Sequence, residues 1–128
     1  MADRAGMQSM AYTLLRIVAG FMFACHGAQK LFGALGGTAM TSNPMMLVAG
    51  IIEFGGGLLI ALGFLTSWAA FLASGQMAAA YFMVHAKGGF WPIINKGELA
   101  VVYCFLFLYI AARGAGPYSV DAAMRRKP

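Results

Sequence analysis

Long apolar blocks dominate the chain, separated by short polar or glycine-rich breaks. A helix needs about 20 residues to cross the hydrocarbon core of a bilayer, and four blocks reach or approach that length: residues 10–35, 44–63, 66–85 and 97–113. The breaks have the chemistry of helix ends. Gly36-Gly37 through Asn43-Pro44 forms a small polar loop, with Pro44 suited to a first helical position. Gly63-Phe64-Leu65-Thr66 is a tight connection in which Thr66 is the expected N-cap. Lys87-Gly88-Gly89-Phe90-Trp91-Pro92 is a longer loop, and Gly114-Ala115-Gly116-Pro117 stops the last block. The predicted fold is all-α: a transmembrane four-helix bundle filling a single domain over residues 1–128.

Composition points to the same solvent. The chain is 61% hydrophobic and 10% charged, with a mean hydropathy of +0.74, whereas soluble domains are about a quarter charged. The net charge of +5 does not make a nucleic-acid surface, because the cations do not line a polar helix with interleaved aromatics. Their placement bears on topology instead. Arg4, Arg113, Arg125, Arg126 and Lys127 gather at the terminal side, against Lys87, Lys96 and Lys30 on the other, so both termini are expected in the cytoplasm. The Arg125-Arg126-Lys127 tail would touch anionic headgroups or simply fix topology. Arg16 interrupts the first block, which argues against a cleaved signal peptide.

Small residues recur at helix-packing intervals: Gly20, Ala24 and Ala28; Gly55-Gly56-Gly57 with Ala61; Ala69 with Ala73. Such rows let backbones approach in lipid, so a packed bundle is expected. Cys25 and Cys104 are far apart in apolar runs and read as small apolar residues, and the ten methionines as apolar filler.

Ionisable groups inside spans are costly and generally face the interior. Here they are Arg16, His26, Lys30, Glu53, His85 and Glu98, with Gln76 as a neutral addition. At helical spacing Arg16, Gly20, Phe23, Gly27 and Lys30 share one face of the first helix. Glu53 shares a face with Gly50 and Gly57, and Glu98 with Phe105 and Tyr109. By depth, His26, Lys30, Glu53, His85 and Glu98 are expected to converge in the outer half of the bundle. Arg16 sits lower, within reach of Glu53 for two long side chains. The expected catalytic pair is Glu53 and His26, with Arg16, Lys30, His85 and Glu98 binding substrate. Groups of this kind in low dielectric can move protons; a buried ion-pair network that only sets helix register is the alternative. No metal site is expected, since His26 and His85 lie on different helices without ligand spacing.

The motifs that carry these residues resemble the DoxX family. Leu15-Arg16 through Phe23, then His26-Gly27-Ala28-Gln29-Lys30-Leu31-Phe32-Gly33, resembles its opening helix. Glu53-Phe54-Gly55-Gly56-Gly57-Leu58-Leu59 with Leu62-Gly63-Phe64-Leu65-Thr66 is similar to its second helix and turn. Met77, Ala80 and His85 match its third helix. Asn95-Lys96-Gly97-Glu98-Leu99-Ala100 and Gly114 through Asp121 resemble its fourth helix and tail. The likeness covers residues 10–122, with Val120 where leucine is expected.

The resemblance implies a four-helix protein of the bacterial inner membrane, some of whose relatives associate with other redox proteins in membrane oxidoreductase complexes. The family takes its name from a subunit of a terminal quinol oxidase and thiosulfate:quinone oxidoreductase system. Three functions then compete. The first is an oxidoreductase subunit that binds a quinone, or a small reduced-sulfur substrate approaching Lys30, Lys87 and Lys96. A quinone would need an apolar slot with donors at its carbonyls, for which His26, Lys30 and Glu53 among Phe21, Phe23, Phe54 and Phe105 are the expected lining. The sequence has no flavin fingerprint, haem-attachment motif or cluster cysteines, so electrons would come through a partner. The second is a small-molecule transporter unit, which with four helices would be a homo-oligomer. The third is a membrane anchor or assembly scaffold for a redox partner.

Overall fold

The structure is a computed structural model that describes residues 2–125; Arg126 and Lys127 of the basic tail lie outside the described residues. Helix α1 (Ala2–Phe32) is followed by α2 (Pro44–Leu62), α3 (Thr66–Ala80), a short α4 (Pro92–Asn95), α5 (Glu98–Arg113) and α6 (Val120–Arg125). No strand occurs among the described residues. Asp3–Phe32 and Pro44–Leu62 are long and apolar enough to cross a membrane by length and composition. Helix α1 begins well before the predicted start at residue 10: Asp3 to Gln8 extend it as exposed helix, with Asp3 in the first turn at the positive end of the helix dipole.

Two helix pairs make the bundle. Helix α1 lies along all of α2, and α3 lies along α5. Glycine sets the first pairing. A Cβ on Gly20 would fall 2.6 Å from the Ala61 nitrogen, one on Gly57 2.5 Å from the Ala24 nitrogen, and one on Gly27 2.2 Å from the Phe54 nitrogen. The backbones therefore touch, as small residues permit where lipid offers no hydrophobic drive for helix association. On the second pair, Ala69, Ala70 and Ala73 of α3 are buried against α5, and the Ser74 hydroxyl donates to the Cys104 carbonyl at 2.7 Å.

Aromatic packing joins the pairs. Phe23 of α1 is fully buried, 4.8 Å from the Phe107 ring and 5.5 Å from that of Tyr103. Tyr103 and Phe107 stack on each other at 5.1 Å. Elsewhere the surface is apolar: Leu14, Val18 and Phe21 on α1, Val48 and Ile51 on α2, Phe71 and Leu72 on α3, and Val102 and Phe105 on α5 are all exposed.

The expected face of α5 is corrected. Its buried stripe is Ala100, Tyr103, Phe107 and Ile110, whereas Phe105 and Tyr109, which share a face with Glu98, are exposed. Glu98 itself is exposed in the first turn of its helix, where a carboxylate stays hydrated and faces the positive end of the helix dipole. It therefore does not mark the interior.

The expected Thr66 cap is also replaced. The residue before α3 is Leu65, in a left-handed conformation with φ +50, and no local side chain caps the helix. Asp121 of α6 does so from across the chain, accepting from the Leu65 and Thr66 nitrogens at 3.0 and 3.1 Å. Burial alone would raise the Asp121 pKa, but those two N–H donors and nearby Arg125 hold it below its ordinary value.

Candidate functional site

Glu53 lies in a π-helical stretch of α2, Ile52–Gly56, and is 2% exposed. Its Oε1 accepts from Lys30 Nζ at 2.7 Å and its Oε2 from Gln76 Nε2 at 2.6 Å. One carboxylate thus ties α1, α2 and α3 together. π-Helical turns concentrate at functional positions because they shift side chains out of helical phase. A second such stretch, Tyr81–His85, extends α3 and carries His85.

These residues border a cavity of about 370 Å³, within the range of about 300–1,000 Å³ for small-molecule sites. Its polar lining is His26, Lys30, Glu53, Gln76, His85, Lys96 and Tyr103; Phe23, Met46, Met77 and Leu99 are among the apolar side chains. His26 stands edge-on to Tyr103, ring centres 6.3 Å apart. The His85 ring faces that of Tyr81, and its Nδ1 is 3.3 Å from the Asn95 carbonyl. Because a carbonyl only accepts, Nδ1 carries the proton in that contact.

Two buried polar atoms of the lining find no protein partner among the described residues: Gln76 Oε1 and the Tyr103 hydroxyl. The amide of Gln76 cannot be turned round to relieve this. An ionised carboxylate only accepts, so Nε2 must face Glu53 and Oε1 is left over. Buried polar groups without partners are costly and rare, and they gather where a site is built for another molecule.

The segment between α3 and α5, which carries the lining residues His85 and Lys96, is braced by its own hydrogen bonds. Asn95 donates to the Gly89 carbonyl at 2.8 Å and to the Tyr81 hydroxyl at 3.1 Å, and that hydroxyl in turn donates to the Phe90 carbonyl. Lys96, a lining residue just after α4, is in a left-handed conformation, φ +63. L-residues with side chains adopt this conformation at a cost of about 1–2 kcal/mol.

Arg16 is elsewhere. It is 1% exposed, and its guanidinium donates to the carbonyls of Ile60, Ala115, Ala61 and Tyr118. The anticipated Arg16–Glu53 contact does not form: Arg16 meets the C-terminal end of α2 and the tail after α5, whereas Glu53 faces Lys30 and Gln76. Four of the six sequence-derived candidates, His26, Lys30, Glu53 and His85, line one cavity; Arg16 and Glu98 do not. Among the expected phenylalanines only Phe23 lines it. Phe21 and Phe105 are exposed on the apolar surface, and Phe54 packs against Phe32.

The family profile described as DoxX matches residues 11–86. The chain belongs to the DoxX family. It is a DoxX family membrane protein, and the matched segment spans Arg16, His26, Lys30, Glu53, Gln76 and His85. Among its relatives, an uncharacterized protein of Haemophilus influenzae is 44% identical over 88% of this chain and 90% of its own length. The inner membrane protein YqjF of Escherichia coli is 30% identical over 94% of this chain and 97% of its own. No solved structure matches the chain.

Two site residues of this DoxX protein are named by the sequence argument without their place in the cavity, and a third escapes it. Gln76 stands out as a polar group in an apolar helix, with no sign that it meets Glu53. Lys96 reads as a cation that an anionic substrate would approach from outside, with no sign that it lines the Glu53 cavity. Tyr103 is the third: Ala100, Tyr103, Phe107 and Ile110 repeat at intervals of three and four, whereas the charge of Glu98 marks a different face of the helix.

Proposed function

We propose that this DoxX protein is a multi-pass subunit of an oxidoreductase system in the bacterial inner membrane, and that its cavity holds a quinone head group. Its four long helices span the bilayer, with both termini cytoplasmic. The inner-membrane name of the Escherichia coli relative and the bias of Arg4, Arg113 and Arg125 toward the terminal end support that placement.

The observation that carries the reading is the buried Glu53 carboxylate, held by Lys30 and Gln76 in the wall of a mostly apolar cavity that also presents the unpartnered Tyr103 hydroxyl. A quinone is a flat apolar ring with an oxygen at each end. The rings of Phe23 and Tyr103 and the thioethers of Met46 and Met77 suit its faces. The Tyr103 hydroxyl, His26 and the Lys30 ammonium suit its oxygens. The Lys30–Glu53 pair can take up or give back a proton as the oxygens change state, while electrons pass to and from a partner protein. Arg16 has a purely structural part: its donors are spent on backbone carbonyls.

Equilibrium binding tests the reading. The protein in lipid nanodiscs should bind a tailless benzoquinone or naphthoquinone, measured calorimetrically against empty nanodiscs. Glu53→Leu and Tyr103→Phe should weaken that binding. A wild-type protein that takes up no more quinone than empty nanodiscs refutes it.

A further inference from the structure

A second cavity, of about 340 Å³, opens beside the first. The two share Met46, Ala49, Gln76, Ala80 and Val84, so they are neighbouring chambers with a common wall. Apart from Gln76 the second is lined wholly by apolar side chains, among them Val48, Ile52, Ala79 and Met83. Val48 and Met83 are about half exposed, at 55% and 48%, on the apolar surface of the bundle.

The helix packing explains the opening. The first half of α2, Pro44–Ile51, packs against α1, while α3 meets α2 farther along, at Ile52–Gly56 and Gly57–Leu62. Helices α2 and α3 therefore part toward the end that carries the Glu53 cavity. Alanines at 49, 79 and 80 leave the gap unfilled.

Resting on the head-group reading, we infer that the gap between α2 and α3 is a lateral door: the ligand is lipid-soluble, enters from the bilayer, and leaves its hydrocarbon tail along Val48, Ala79 and Met83. The occupant follows from continuity. A mostly apolar chamber with polar groups in its wall, sharing lining residues with an apolar slot that reaches the apolar surface at Val48 and Met83, fits one molecule with a polar head and an apolar tail. A water-soluble sulfur anion has no use for the slot. The tail gains no hydrophobic free energy by moving from lipid into an apolar slot. The slot therefore decides which molecules can seat their heads, rather than adding affinity.

Steric closure of the slot separates this inference from the reading beneath it. Ala79 and Val48 line only the second chamber, so Ala79→Phe and Val48→Phe should fill it without touching the head-group site. In nanodiscs these variants should bind a tailless quinone as the wild type does. They should lose at least about tenfold in affinity for an isoprenoid-tailed quinone, a difference equivalent to 1.4 kcal/mol. Equal binding of both ligands by the variants, or equal loss of both, overturns the lateral door. Failure of the wild type to bind either ligand removes the head-group reading instead.

A second measurement needs no variant. A tailed quinone with a diazirine at the end of its tail should label the wild-type segments around Val48, Ala79 and Met83, and excess tailless quinone should prevent it. Labelling elsewhere, labelling that competitor does not displace, or equal labelling by a diazirine phospholipid would show only a generic lipid crevice and overturn the proposal.

Discussion

The guanidinium of Arg16, in the middle of the first helix, donates a hydrogen bond to the carbonyl of Ala115, 99 residues later in the chain. Three further carbonyls, of Ile60, Ala61 and Tyr118, accept from the same group. One buried cation thereby fastens the α2 terminus and the tail to α1. Arg16→Leu should lower unfolding stability by at least about 1–3 kcal/mol, the cost of leaving a buried carbonyl without its donor. Arg16→Lys should recover only part of this, since an ammonium has fewer donors and no fork. Thermal or denaturant unfolding in detergent measures both, and an Arg16→Leu protein as stable as wild type contradicts the account.

Lys30 and Glu53 are unequal partners. The Lys30 side chain is 25% exposed and Glu53 only 3%, so an abandoned ammonium can rehydrate and an abandoned carboxylate cannot. Lys30→Met should therefore destabilise the protein more than Glu53→Gln, whose amide oxygen can still accept from Gln76. The double-mutant cycle should return a coupling of about 0.5–3 kcal/mol. Equal single-variant costs with no coupling would show that the pair adds nothing.

Gly27 and Gly55 look alike in sequence but not in space. A methyl on Gly27 would lie 2.2 Å from the Phe54 nitrogen, whereas one on Gly55 meets nothing within 4 Å. Gly27→Ala should cost about 1–3 kcal/mol through forced separation of α1 and α2. Gly55→Ala should stay within about 0.5 kcal/mol of wild type. Unfolding curves of the two variants side by side decide it.

Asp121 makes an acid limb. Its pKa is lower in the folded protein than its ordinary value of 3.8. The unfolded state thus binds the proton more readily, and the stabilisation is fully present above that ordinary value. It is lost as pH falls through the lower folded value. The wild type should lose stability on acidification below about pH 4, and part of that loss should be missing in Asp121→Asn. Superimposable acid-unfolding profiles would show that the cap contributes no such linkage.

The helical character of the chain, the ends of its long helices near residues 44, 66 and 113 and the close-contact residues Gly20, Ala24, Gly57 and Ala61 were legible from hydrophobic run length, small-residue spacing and local turn chemistry, whereas Gly55 of the same row meets nothing. These are properties of neighbours in the chain, and periodicity reports them. The same reasoning placed His26, Lys30 and Glu53 on faces that line one cavity. It could not choose partners. Charge alone matched Glu53 with Arg16 as well as with Lys30, and only the packed positions of α1 and α2 decide for Lys30. Asp121 as the cap of α3, Tyr103 in the cavity wall and the parting of α2 from α3 are likewise tertiary facts. Each depends on the rotation and crossing of whole helices, set by close contacts such as Gly27 on Phe54, and no local pattern encodes those angles.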